Sequence, residues 1–249
     1  MNSLFRKYWY LTVVAVFVFA SASFAQTTQI TLTNVGDNAT VTNSSAGFGV
    51  YVDPYVATIG TGASAVSTYA ICDDWSDNTS VGETWTANVN TLSPLSGTPL
   101  FASSTSNPNG STTPGTLYNE LAWLGTQLLA SPTDPTNQVE TSFAIWELTY
   151  GYAPTPEIPG PTLFLSGSSY AGDQGTVNTL MAEAAAAVKG GYSGSGWEIL
   201  TPVANTPGPP QEFLVYTPES SAAVVFGADM VGLLGLVFVF RRRLLRPIL

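Results

Sequence analysis

Nineteen consecutive residues near the end of this chain, residues 222–240, carry one charge, Asp229, and run into Arg241-Arg242-Arg243, with Arg246 just beyond. Wound as a helix at about 1.5 Å per residue, they cover roughly 28 Å, close to the hydrocarbon thickness of a bilayer. A triple arginine at one end of such a span predicts that this end stays cytoplasmic and that the chain before Pro218 lies on the other side. Asp229 falls near mid-span, where an acidic group costs on the order of 2.5–3.5 kcal/mol on insertion scales.

The opposite terminus has the layout of an export signal. Arg6 and Lys7 precede an apolar run over residues 8–20, and Ser23-Phe24-Ala25 forms a small-x-small cleavage site. Cleavage there makes residues 1–25 a signal peptide and Gln26 the mature N-terminus. Cys72 is the only cysteine, so no intramolecular disulfide is available to a domain exported this way.

Charge distribution narrows the function classes. Between Gln26 and Thr217 the only basic residue is Lys189, against fifteen Asp and Glu. A domain so acidic offers no basic stripe to phosphates, which excludes nucleic acid as a partner. With 45% apolar residues the segment can bury a core.

Hydrophobic periodicity then divides residues 26–217. Alternation at period two predicts strands over residues 28–33, 68–72 and 83–89, the last with Trp85, Ala87 and Val89 on one face. Residues 48–59 read as two short strands meeting at Asp53-Pro54. Residues 34–47 read as turns, and residues 92–114 as a long exposed loop. Leu117, Leu121, Leu124 and Leu128 switch to helical spacing, with Trp123 on the flank. A second helix is expected from about Thr136 to Tyr150, pairing with the first as a hairpin on the sheet. A third runs over residues 173–189 and stops at Gly190-Gly191. Late strands are expected over residues 197–200 and 213–216. The fold class expected is α+β: one β-rich ectodomain over residues 26–217 with two to three helices, plus a signal peptide and one C-terminal transmembrane helix.

The order Pro218-Glu219, apolar helix, Arg241-Arg242-Arg243 at the C-terminus resembles the PEP-CTERM sorting signal, with Ser220 where the usual motif has its second proline. That resemblance covers residues 218–249. It implies export, retention by the tail with residues 241–249 cytoplasmic, and an exosortase as partner beside the export machinery and the membrane. The blocks VYVDPYVATI, YAICDDWSD, GETWTANV, LYNELAWLGTQLL and TSFAIWELTY resemble an exported domain found in many proteins with that tail, a domain of unassigned biochemistry.

A second resemblance concerns chemistry. Cys72 and the frame Thr141-x-x-Ala144-Ile145-Trp146 are similar to the thioester domains of bacterial surface adhesins, in which a cysteine sulfur bonds to a glutamine carbonyl. Here the glutamine position holds Ser142, which has no acyl group for the sulfur, and Gln138 lies one helical turn earlier. The frame therefore implies a relative in which Cys72 is a small buried residue and Trp146 is core.

Other constellations are weaker. Asp73, Asp74 and Asp77 with Asn78 offer oxygen ligands to calcium, without the spacing of an EF-hand loop. The absence of histidine excludes Ser-His-Asp and Cys-His arrangements. Asp74 and Glu147 can be drafted as a glycosidase pair, but Glu147 also suits the solvated face of its helix. Trp75 or Trp85 can stack on sugars or fill a core. The expectation is a non-enzymatic protein of the bacterial envelope or exopolysaccharide matrix, without cofactor, with surface polysaccharide as a candidate partner. The alternative is an adhesin-like binding module on a thioester-domain scaffold lacking the thioester glutamine.

Overall fold

A computed structural model of the chain describes residues 26–35, 40–43, 48–52, 54–75, 77–102, 113–150, 174–203 and 210–217. The expected signal peptide, the sorting residues Pro218, Glu219, Arg241, Arg242 and Arg243, and the apolar run over residues 222–240 lie outside them. Among the described residues no helix is long and apolar enough to cross a membrane.

Six strands close into a barrel. They are β1 (Gln26–Val35), β4 (Tyr55–Ile59), β5 (Val66–Cys72), β6 (Thr84–Thr91), β7 (Trp197–Pro202) and β8 (Phe213–Tyr216), ordered β1-β4-β5-β8-β7-β6 and back to β1. Every pairing is antiparallel. Closure leaves no open edge for another chain to pair with. Two further strands, β2 (Thr40–Asn43) and β3 (Phe48–Tyr51), form a separate hairpin, so the segment expected to be all turns contains one strand. The bend at Pro54 divides β3 from β4 as the sequence suggests.

Strand alternation sorts side chains into two cores. Ile30, Leu32, Ala57, Ala70, Cys72, Trp85, Ala87, Leu200, Phe213 and Val215 fill the barrel. Ile71, Ile199, Leu214 and Trp197 point outward into the second core, built with the helices. This is the period-two rule read on a closed surface: neighbours such as Ala70, Ile71 and Cys72 serve different interiors.

Three helices cover that outer face: α1 (Pro114–Ala130), α2 (Pro135–Tyr150) and α3 (Gln174–Lys189). Thr113 caps α1, accepting a hydrogen bond from the Thr116 backbone N–H at 3.3 Å, and Pro114 occupies the first turn, where its missing N–H costs nothing. The expected stripe Leu117, Leu121, Leu124 and Leu128 is buried, and Trp123 packs partly buried at its flank. All three helices pack on one another, so the hairpin is one side of a three-helix layer. α3 ends as its glycines predict. Gly191 sits at φ +100°, and the Tyr192 N–H reaches back to the Ala187 carbonyl at 3.0 Å.

Two expectations need correction. Within residues 92–102, Leu92 and Phe101 are buried in the helical core: apolar residues scattered among Ser, Thr and Pro still find the layer beneath them. Glu147 is buried as well, because every residue of α2 from 141 to 149 is buried between the barrel, α1 and α3.

Gly125 of α1 lies where the barrel and the helices approach most tightly. A Cβ there would meet the Trp197 ring at 2.6 Å, and Trp197 is itself buried and stacked on Tyr216 with centroids 5.5 Å apart. Gly125→Ala gains up to about 1 kcal/mol of helix propensity but overpacks a rigid ring, a cost of about 1–3 kcal/mol. Net destabilisation of about 1 kcal/mol is expected from urea unfolding; a stabilised variant would show that the ring yields.

Candidate functional site

At one end of the barrel, where β5 leaves the sheet, Cys72, Asp73 and Asp74 follow one another in the chain and are all buried. Strand alternation turns the Cys72 side chain into the barrel core. Its thiol donates to the Asp74 carbonyl at 3.2 Å. Burial, with the charges of Asp74 and Asp73 next, holds the thiol well above its ordinary pKa, so it is protonated and a poor nucleophile.

Helix α2 is clamped to this corner by three side chains on successive turns. Ser142 Oγ donates to the Val52 carbonyl at 2.6 Å. Trp146 Nε1 donates to the Cys72 carbonyl at 3.1 Å, and Thr149 Oγ1 to the Asp73 carbonyl at 2.8 Å. The Trp146 ring packs against Trp75 at 4.8 Å and Phe143 at 5.4 Å. Trp75 is thus committed to packing at the rim of the helical core, and Trp85 lies inside the barrel on Phe213. Gln138 does not substitute for a glutamine at 142; its side-chain nitrogen donates to the Pro132 carbonyl at the start of α2. Cys72 and the Ala-Ile-Trp frame do meet, but through the indole and the backbone; the amide beside the thiol is that of Gln211, whose Nε2 donates to the same Asp74 carbonyl at 2.7 Å.

Behind the clamp lies a set of acids that spacing in the sequence did not reveal, because its innermost member, Glu212, comes 139 residues after Asp73 (212 − 73). Glu212 is fully buried just before β8. Its Oε1 accepts from Tyr118 Oη at 2.5 Å, and its Oε2 accepts from the Leu100 backbone N–H at 2.7 Å and from Thr201 Oγ1. Tyr118 Oη in turn accepts from the Phe101 N–H at 3.0 Å, and Asn90 Nδ2 donates to Thr201 at 2.8 Å. This network pins the 98–102 segment and α1 to the barrel.

Asp73 is fully buried, and neither of its carboxylate oxygens accepts a hydrogen bond from a described donor. Burial first, then the charges of Glu212 and Asp74, push its pKa well above the usual carboxylate range. Burial lifts Glu212 to about 7, against the opposing pull of its three hydrogen bonds. Asp77 is lifted to about 6 by burial and by Asp74. The acids therefore form a chain, Asp77 to Asp74 to Asp73 to Glu212. The candidate oxygen ligands Asp73, Asp74 and Asp77 do not all converge, since Asp73 turns toward Glu212 while Asp77 faces Asp74. Among the described residues no group of three His, Cys, Asp or Glu could hold a metal ion. Glu147, drafted with Asp74 as a catalytic pair, instead accepts from Gln174 Nε2 at 2.9 Å.

A carboxyl with a raised pKa in the folded state keeps its proton to higher pH than in the unfolded chain, so the folded state binds more protons across the interval. Stability is then full below the unfolded value and falls as pH rises through the folded one. For Glu212 this window runs from about 4.5 to about 7, and the loss across it is on the order of 3 kcal/mol. Thermal melts should show a more stable protein at pH 5 than at pH 8, and Glu212→Gln should flatten that dependence. A melting temperature that climbs between pH 5 and 8 contradicts the raised pKa of Glu212.

No protein-family model matches the chain, and no curated protein matches it. Among solved structures, the N-terminal thioester domain of a protein F2-like fibronectin-binding protein from Streptococcus pneumoniae is distantly similar. It aligns at 11% sequence identity with a TM-score of 0.37, over 75% of this chain and 96% of that one.

Proposed function

We propose that this protein is an exported binding module of the bacterial envelope, held at the membrane by its C-terminal tail and acting through non-covalent contacts. The observation that carries the non-covalent part is the junction of α2 with β5. Cys72 is buried with its proton on the Asp74 carbonyl, and Ser142, at the position an acyl donor would need, spends its hydroxyl on Val52. Cysteine, serine and tryptophan here serve to bind a helix to a barrel, which supports a non-covalent role. The export and anchoring parts rest on sequence: Arg6, Lys7 and the apolar run before Ala25, and Pro218-Glu219, residues 222–240 and Arg241-Arg242-Arg243. Sorting by an exosortase belongs to the same proposal, as does a place in an exopolysaccharide matrix with surface polysaccharide as a partner.

Two measurements test these parts separately. Folded protein should resist maleimide at Cys72, become labelled on denaturation, and show neither a mass deficit of one ammonia nor a methylamine adduct. A methylamine adduct would overturn the non-covalent reading. Fractionation of cells expressing the full chain should leave it in membranes, beginning at Gln26, with residues 26–217 open to protease from outside. An uncleaved cytosolic polypeptide would overturn the export reading.

A further inference from the structure

Acidic groups are segregated along the barrel axis. At the end just described lie Asp73, Asp74, Asp77, Glu83 and Glu212. The opposite end is formed by residues 26–29, 59–66, 89–96, 191–198 and 216–217, as the strand registers require. In all of those stretches the only Asp, Glu, Lys or Arg is Glu198. Glu198 alternates with the outward Trp197 and Ile199 of β7, is only partly exposed, and hydrogen-bonds Thr217.

The same end exposes apolar and aromatic side chains. Val66 is 61% and Tyr216 43% exposed there, and Tyr69, at mid-β5 beside Tyr216, is 43% exposed. Exposed Tyr51, Val81 and Leu100 lie toward the acidic end, so charge and not apolar exposure distinguishes the two. Tyr69 and Tyr216 lie one step beyond the Ala70–Val215 pair, on neighbouring strands, and Tyr216 leans on Trp197 at 5.5 Å. Uncharged turns surround them: Gly60-Thr61-Gly62-Ala63-Ser64-Ala65 between β4 and β5, and Ser193-Gly194-Ser195-Gly196 before β7.

We infer that this uncharged end of the barrel is a membrane-facing surface, seated on the lipid headgroups with Val66, Tyr69 and Tyr216 at the interface. The inference rests on the anchoring reading above and adds an orientation to it. Chain length supplies the first argument. Thr217, at this end, precedes the apolar run at residue 222 by five steps, which span at most about 18 Å when fully extended. The barrel end is thus tethered within about 18 Å of the apolar run. Chemistry supplies the second. Tyrosine and tryptophan rings favour the membrane–water interface, whereas carboxylates are repelled by anionic lipid. The five acids sit at the far end, and the near end presents none outside the barrel mouth.

The test uses the full chain reconstituted into phosphatidylcholine vesicles with a minority of phosphatidylglycerol and a headgroup-nitroxide lipid. Ser64→Cys and Val81→Cys each place one fluorophore, at the near and far ends, because buried Cys72 stays unlabelled. Quenching several-fold stronger at position 64 than at 81 is expected, and Val66→Glu should reduce it while leaving the melting temperature unchanged. Equal quenching at both positions in protein that floats with the vesicles overturns the orientation and leaves the anchor standing. Val66→Glu with undiminished quenching at 64 overturns it as well. Protein that fails to float takes the anchoring reading and this inference down together.

Discussion

Two carboxyl groups buried against each other, with no cation beside them, can be kept in a protein interior only by a proton. That constraint governs the end of the barrel where β5, β8, α1 and α2 meet. Glu212 gathers a tyrosine from α1, a threonine from β7 and a backbone N–H from the 98–102 segment, and Asp73 completes the pair with nothing else to accept from. Lys189, the one basic residue among the described residues, stands at the C-terminus of α3, where it favours the helix dipole. The domain is therefore built to hold protons where most proteins would place an arginine.

The clamp between α2 and β5 follows from the same geometry. Because Cys72 turns inward, its carbonyl and that of Asp73 are left facing the helices, and Trp146 and Thr149 satisfy them. A buried carbonyl left unpaired costs about 1–3 kcal/mol, so polar residues on α2 are as necessary as its apolar ones. This is why α2 buries Gln138, Thr141, Ser142, Glu147 and Thr149 alongside Phe143 and Ile145, and why helical periodicity alone gives a poor account of its environment.

Much of the fold was legible in the sequence for plain physical reasons. Leu117, Leu121, Leu124 and Leu128 share one helical face only at a period of 3.6. Gly190-Gly191 ends α3, and Pro54 separates β3 from β4. What could not be read was anything set by closure. β1 pairs with both β4 and β6, and that pairing is encoded in no local pattern. Only closure brings Glu212 to Asp73 and gives Leu92 and Phe101 a core to enter. Asp73, Asp74 and Asp77 looked like a cation loop because sequence shows their spacing but not the carboxylate that faces Asp73 from β8. Ser142 was readable in advance, since no fold gives serine an acyl carbon.

Closure also explains why function is better sought at the two ends of this barrel than on its wall. The outer face of β5, β7 and β8 is occupied by helices, and the interior is filled by Trp85, Phe213 and their neighbours. What remains open is the threonine-lined outer wall of β1 and β6 and the two rims. One rim carries acids, of which Asp77 is lifted to about 6 and the buried Glu212 beneath it to about 7. The other carries tyrosines, a valine and glycine-rich turns within reach of an apolar run. A domain tethered by its uncharged rim directs its acidic rim away from the tether.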